Sequence, residues 1–226
     1  MRVLGLDPSL TNYGWALHDT EAKGAARCIE RGRFRTKPRD FPDEISRYLH
    51  LRESLEALIE RLDPDAMGLE SPVLNESYSE GMYGLFLFSL EAIRGHAQDV
   101  VLFAPPQVKS FAKEILNRPK GWKMGKADMV EAAKEDVSDS SKTHGGAKGK
   151  KGHWDHNEAD AYHVARAAGR FWSLYSGSIG EDELTPVEER TFIKTHTYVR
   201  GKKAGQTEKK SILHRENDRF FIWSIA

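Results

Sequence analysis

Hydrophobic residues open the chain in two short runs, Val3-Leu-Gly-Leu6 and Tyr13-Gly-Trp-Ala-Leu17, separated by a polar stretch holding Asp7, Pro8, Ser9 and Asn12. Runs of this length bounded by turn formers predict a β-hairpin with Asp7 near the end of its first strand, and Gly14 suits a close backbone approach. A looser alternation from Ala26 to Thr36 predicts a third antiparallel strand. From Pro42 to Leu62, Ile45, Leu49, Leu55, Leu58, Ile59 and Leu62 recur near a 3.6-residue period. Asp40 or Asp43 reads as the cap and Asp63-Pro64 as the stop, so this is an amphipathic helix. Ala66 to Glu70 follows as a short strand whose last residue is again a carboxylate.

The stretch Glu76 to Ala97 has a helical pattern but is apolar nearly all round, with Tyr83, Leu85, Phe86, Leu87, Phe88, Leu90 and Ile93. Such a helix is expected to be buried on two sides, one against the sheet and one against a second copy of the chain. Asp99 to Pro105 reads as a buried strand, and helices follow from Pro106 and from Lys126 to Asp136. Val137 to Trp154 is rich in Ser, Gly and Lys and is expected to be a mobile loop, whereas Asn157 to Tyr175 is an alanine-rich helix. Beyond Gly177, short β-prone runs separated by Gly-Lys turns predict a small appendage. The expected division is therefore a compact domain over 1–176 and a basic extension over 177–226.

The length, 226 residues, suits one core with such an appendage. No run approaches the ~20 apolar residues of a membrane span, so no membrane partner is expected. A single cysteine, Cys28, excludes an intrachain disulfide, and with no signal-peptide pattern a cytoplasmic location is expected. Cys28 has no basic cluster beside it in sequence and reads as a packed side chain rather than a nucleophile. Lys plus Arg and Asp plus Glu are equal at 34 each, so only the distribution of charge is informative. Ser141 to His153 carries four lysines and no acid, and Arg190 to Arg215 carries eight Lys or Arg against Glu208 alone. Either can be a phosphate-facing patch or a solvated loop.

Strand, strand, strand, helix, strand, helix, strand, then helices, with carboxylates at Asp7, Glu70 and Asp160, is the combination that carries chemistry. With the first strand central and the fourth parallel beside it, Asp7 and Glu70 fall side by side at one sheet edge. A last helix crossing that edge would deliver Asp160. Clustered carboxylates suit Mg²⁺, a hard cation that keeps several waters. Two such ions ~4 Å apart can activate a water and stabilise a leaving oxygen at a phosphodiester.

These residues resemble a family. Gly5-Leu-Asp7-Pro-Ser-Leu-Thr-Asn-Tyr-Gly14, Leu69-Glu70, Pro106-Gln-Val-Lys109, Lys126 and Asp155-His-Asn-Glu-Ala-Asp160-Ala are together similar to the RuvC-type Holliday-junction resolvases, over about Met1 to Trp172. The resemblance implies an α/β, RNase H-like fold with a mixed five-stranded sheet flanked by helices. It also implies a homodimer and Mg²⁺-dependent paired nicking of four-way DNA junctions, with Mn²⁺ able to substitute. Carried over position by position, Asp7, Glu70 and Asp160 match the metal-binding acids, and Lys109 and Lys126 match basic positions near the scissile phosphate. Lys123 offers a further phosphate contact, as do Lys148, Lys150 and Lys151 of the loop and Lys202 and Lys203 of the extension. Tyr78 or Tyr83 could wedge into the junction, with a buried core tyrosine as the alternative for Tyr83.

One position departs from the family's pattern. Three residues before the last acid the family has Asp or His, and here stands Asn157. Asp155 could replace it as a fourth ligand, and His156 could be a ligand or proton donor, while Glu158 reads as a capping or solvated residue of the first helical turn. Other readings stay open at this stage. An RNase H-like nuclease acting on RNA–DNA hybrid or other branched DNA would keep the same acids, and a catalytically degenerate junction-binding module would explain Asn157. A kinase of the actin superfamily would need a second domain with its own phosphate turn, for which the chain has no room. Cleavage-sequence preference, a branch-migration partner, and chromosomal or phage origin are not written in the sequence.

Overall fold

The computed structural model describes residues 1–23, 27–72, 80–96, 100–138, 154–197, 207–211 and 224–225. The N-terminal hairpin forms as expected, from β1 (Arg2–Asp7) and β2 (Asn12–Asp19), and β3 (Cys28–Arg35) adds the third antiparallel strand. Helix α1 (Glu44–Leu62) starts at Asp43, whose side chain accepts the Ser46 N–H at 2.7 Å, and stops where Asp63 turns left-handed at φ 42°. An Asx cap and an αL residue are the local signals that start and stop a helix. Strand β4 (Ala66–Glu70) then pairs parallel to β1, and β5 (Val100–Phe103) parallel to β4.

The sheet order is β3-β2-β1-β4-β5, so β1 is central with β4 at its side. A sixth, two-residue strand from the tail, β8 (Ser224–Ile225), pairs with β5 at the edge. Helix α2 (Glu80–Gly95) precedes β5, and α3 (Pro105–Ile115), α4 (Lys126–Ser138) and α5 (His156–Tyr175) follow it. A short helix α6 (Pro186–Phe192) leads into a separate hairpin of β6 (Ile193–Thr197) and β7 (Thr207–Ser211). The segment expected as a mobile loop lies almost wholly outside the described residues, as do Tyr78, Lys148, Lys150, Lys151, Lys202 and Lys203.

Strand alternation sorts the two faces of the sheet. Leu4, Leu6, Tyr13, Trp15, Leu17, Met67 and Leu69 point to one side, where they pack with Leu51, Leu55, Leu58 and Ile59 of α1 and Leu85 and Ile93 of α2. The other face is lean. Gly5, Gly14 and Gly68 lie under α5, and a Cβ on them would come 2.1 Å from the Ala161 carbonyl oxygen, 2.2 Å from the Asn157 carbonyl oxygen and 2.7 Å from the Ala168 Cβ, respectively. Residues 157, 161 and 168 share one face of α5, which thus lies directly on three adjacent strands. Above it Phe111 of α3, Met129 and Ala132 of α4, and Phe171 close the second core.

The appendage is tied to this core more closely than the β-prone pattern suggested. Phe192 of α6 is fully buried against Phe111 and Phe171, and Arg170 of α5 holds buried Glu188 through two bonds of 2.7 and 2.9 Å. Arg47, buried in α1, donates its Nε to Thr36 Oγ1 at 2.8 Å and another N–H to the Leu10 carbonyl, which pins the turn after Asp7.

Gly5→Ala should push α5 off β1. We expect a loss of about 3 kcal/mol in urea unfolding, the upper range for overpacking a tight core, and a thermal midpoint lower by roughly 6–12 °C. An unchanged midpoint would show that α5 can shift freely.

Candidate functional site

Asp7 ends β1 and Glu70 ends β4. Because Leu6 is in register with Leu69 across the parallel pair, the two acids are lateral neighbours. Alternation puts both on the glycine face, beneath α5, and Asp160 in the first turns of that helix comes down beside them. All three are half-buried. Burial, followed by the charges of Glu70 and Asp160, raises the Asp7 carboxyl well above its ordinary range. Burial and Asp160 push Glu70 up to about 8, and burial lifts Asp160 to about 6. Lys109 counters the rise at Glu70 and Asp160, and Lys126 counters it at Asp7 and Asp160. The expected three acids and two lysines therefore meet in one place.

This donor set fits a hard divalent cation. It is made of oxygens only, and one oxygen of Asp160, Oδ1, is buried without a hydrogen-bond partner. A buried acceptor left unpaired is costly unless a ligand completes it. Among the described residues, no three acid, His or Cys side chains already close into a metal cage. The acids surround a common space rather than a preformed socket.

The residues expected around Asp160 divide. Asp155 is the N-cap of α5, accepting the Asn157 N–H at 3.0 Å, and its other oxygen is ion-paired with Arg33 of β3. Burial pushes its carboxyl up, but the Asn157 N–H, Arg33 and His156 together hold it below its usual range. Asn157 is buried, and its Nδ2 donates to the Asn12 carbonyl at 2.8 Å, tying α5 to the start of β2. His156 receives the Lys126 ammonium at 3.1 Å. Glu158 does not cap or solvate its turn: it is ion-paired with Arg31 at 3.2 Å, and that guanidinium stacks 3.8 Å from the Trp154 ring. Arg31 and Arg33, alternate residues on one side of β3, thus clamp the first turn of α5. Their i, i+2 spacing was the available signal, but its acidic partners lie more than a hundred residues away.

Each of the two lysines also lines an open groove. One, of about 470 Å³, includes Lys126, Lys134, Trp154, Asp155 and His156, and the other, of about 440 Å³, includes Lys109, Lys113, Trp122 and Lys123. Tyr83 is 45% exposed rather than a core tyrosine, and Leu87 one turn on is 47% exposed, so α2 presents an apolar stripe outward. Cys28 has a thiol pushed up to about 11 by burial, which suits a packed side chain.

No family model matches the chain. It is 32% identical over 113 residues to the crossover junction endodeoxyribonuclease RuvC of Clavibacter michiganensis subsp. michiganensis, covering 49% of this chain and 54% of that one. A second RuvC, from Cereibacter sphaeroides, is 28% identical over 144 residues, or 64% and 76% of the two chains. The chain is thus similar in sequence to RuvC over these stretches. It spans about half the length of the Clavibacter relative. The structure of Thermus thermophilus RuvC superposes with a TM-score of 0.56 at 18% identity, covering 78% of this chain and 97% of that one. The fold is accordingly RNase H-like, with the five strands of the mixed, helix-flanked sheet that the motifs implied, extended at one edge by the two-residue β8. No helix among the described residues is long and apolar enough to cross a membrane.

The raised carboxyls make the cation-free protein sensitive to alkali. Protons held by the folded site are released on unfolding, so stability falls as pH rises from the ordinary carboxyl range, about 4, through about 8. Buried His18 and His163, lowered to about 4, act oppositely and destabilise only below about 6.5. In EDTA, the thermal midpoint should therefore drop between pH 6.5 and 8.5. Glu70→Gln should flatten that drop, and millimolar Mg²⁺ should restore the midpoint at pH 8.5. Equal slopes for wild type and Glu70→Gln would remove Glu70 from the coupled site.

Proposed function

We propose that this chain is a structure-selective endonuclease that resolves four-way DNA junctions by paired symmetric nicks. The observation that carries the reading is the convergence of Asp7, Glu70 and Asp160, from β1, β4 and α5, within the electrostatic reach of two lysines. RuvC similarity supports the junction as substrate, since a Thermus thermophilus RuvC with a TM-score of 0.55 to this chain is described in complex with a Holliday junction substrate.

The three carboxylates would hold Mg²⁺, with Mn²⁺ as a substitute, and the Asp160 oxygen without a partner is the donor most in need of one. Two bound ions would supply an activated water on one side of the phosphodiester and charge stabilisation of the leaving 3′ oxygen on the other. Lys109 and Lys126 would hold the phosphate against the acids, offsetting the repulsion between phosphate and carboxylate. Asn157 can offer its side-chain oxygen, since its nitrogen is the atom committed to Asn12. Asp155, occupied by Arg33 and by its cap, contributes negative charge in this arrangement and would become a ligand only on leaving Arg33. The basic loop and the extension over 177–226 would widen the phosphate-binding surface. A cytoplasmic setting, where chromosomal or phage DNA recombines, suits such an enzyme.

Cleavage of a labelled immobile junction, beside linear duplex and RNA–DNA hybrid, tests the reading. Symmetric nicks on the junction in Mg²⁺, none in EDTA, and a fall of at least a thousandfold in Asp7→Asn with binding retained are the expected results. Hybrid-only cutting would place the chain with another RNase H-like specificity, and binding without cutting would make it a degenerate module.

Paired nicks need two sites, and the stripe of Tyr83 and Leu87, with Ile45 at 63% and Leu49 at 40% exposure on the neighbouring α1, offers an apolar surface for a second copy. Leu87→Glu should convert a dimeric mass in sedimentation to a monomeric one while the thermal midpoint stays within about 2 °C. A dimer that survives the change would put the interface elsewhere.

A further inference from the structure

The loop between α3 and α4 carries a feature that phosphate chemistry alone does not require. Trp122 is 47% exposed, an unusual state for the largest apolar side chain, yet its backbone is firmly held. The Lys113 ammonium donates to the Trp122 carbonyl at 3.3 Å, and the Trp122 N–H donates to Pro119 at 3.1 Å. Two left-handed residues, Asn117 at φ 49° and Gly121 at φ 93°, set the loop's path. Arg118, anchored to Glu131 at 3.0 Å, lies over the indole at 5.1 Å from its centre. The indole is therefore presented by a pinned loop rather than left on a slack one.

Its surroundings name the ligand. Trp122 lines the groove with Lys109, Lys113 and Lys123, and Lys109 is also the ammonium that acts on Glu70 and Asp160. Lys109 thus links the carboxylates to a groove that carries positive charge along its wall and includes an aromatic ring. A phosphodiester strand with a base free to stack matches that sequence of groups, because lysines follow the backbone while an aromatic face takes any base. An acidic peptide would satisfy the lysines but give the indole nothing specific to do.

Resting on the nuclease reading, we propose that this groove binds the DNA strand flanking the scissile phosphate and that Trp122 stacks on an unpaired base of that strand. Near a branch point, bases leave the stack at little cost, so a stacking platform there would favour branched over regular duplex DNA.

Binding of the full chain to labelled oligothymidylate and to an immobile four-way junction, both in EDTA, tests this. Trp122→Ala is expected to weaken both about tenfold with an unchanged salt slope, and Trp122→Phe to retain most of the affinity. Lys113→Gln should make the slope of log affinity against log salt on the oligothymidylate shallower by about 0.7. A base analogue whose fluorescence is quenched by stacking, placed beside the cut position, should brighten in Trp122→Ala. Affinities of Trp122→Ala within twofold of wild type on both probes would overturn the proposal. Because the indole is exposed, its removal is expected to leave the thermal midpoint in place. Wild-type cleavage of the junction is scored separately, so a protein that binds through Trp122 but does not cut would refute only the nuclease reading.

Discussion

The close seat of α5 on the sheet is the contact on which the rest depends. An aspartate side chain is short, so Asp160 reaches Asp7 and Glu70 only if the backbone of its helix lies almost on the strands. Gly5, Gly14 and Gly68 make that possible by leaving no Cβ where Ala161, Asn157 and Ala168 press down. The pleat then does the placement: residues two apart on a strand share a face, so the face emptied by Gly5 and Gly68 is the one that ends in Asp7 and Glu70. Lean packing and acidic chemistry are two ends of the same stripe.

That arrangement stores electrostatic tension. Burial raises the proton affinity of all three carboxylates, the neighbouring acids add to it at Asp7 and Glu70, and two exposed lysines offset only part of it. The structure resists by fixing what surrounds them. Arg31 and Arg33 clamp the first turn of α5 to β3, Arg47 holds the turn after Asp7, and the opposite face of the sheet carries a full aliphatic core. Sites assembled for charge chemistry commonly cost local stability that a rigid scaffold must supply.

Much of this was legible in the residues. Short apolar runs bounded by turn formers predict the first hairpin, the 3.6-residue repeat predicts α1, and a central first strand with the fourth parallel beside it sets Asp7 next to Glu70. What stayed hidden was non-local. Glu158 looked like a solvated first-turn residue because nothing near it in sequence announces Arg31. Tyr83 stayed open between a free aromatic and a core tyrosine because α2 is apolar all round, and an all-round apolar helix does not say which side the rest of the chain covers. The extension read only as an appendage, since Phe192 and the Arg170–Glu188 pair tie it down through contacts that no local period encodes. Trp122 sits in a stretch with no period at all.

Asn157 now has a physical reading that its departure from the family pattern obscured. Its amide nitrogen donates to the Asn12 carbonyl, joining the first turn of α5 to the strand that pairs with β1. A carboxylate in the same place would set oxygen against oxygen and add a fourth negative charge to a site where burial already penalises three. The amide keeps an oxygen available while its N–H₂ secures the helix over Gly14. The neighbouring Asp155 completes the division of labour by capping the turn and taking Arg33. The charge usually expected at the helix start is therefore displaced by two residues, toward a guanidinium that neutralises it, and the three acids keep their common space.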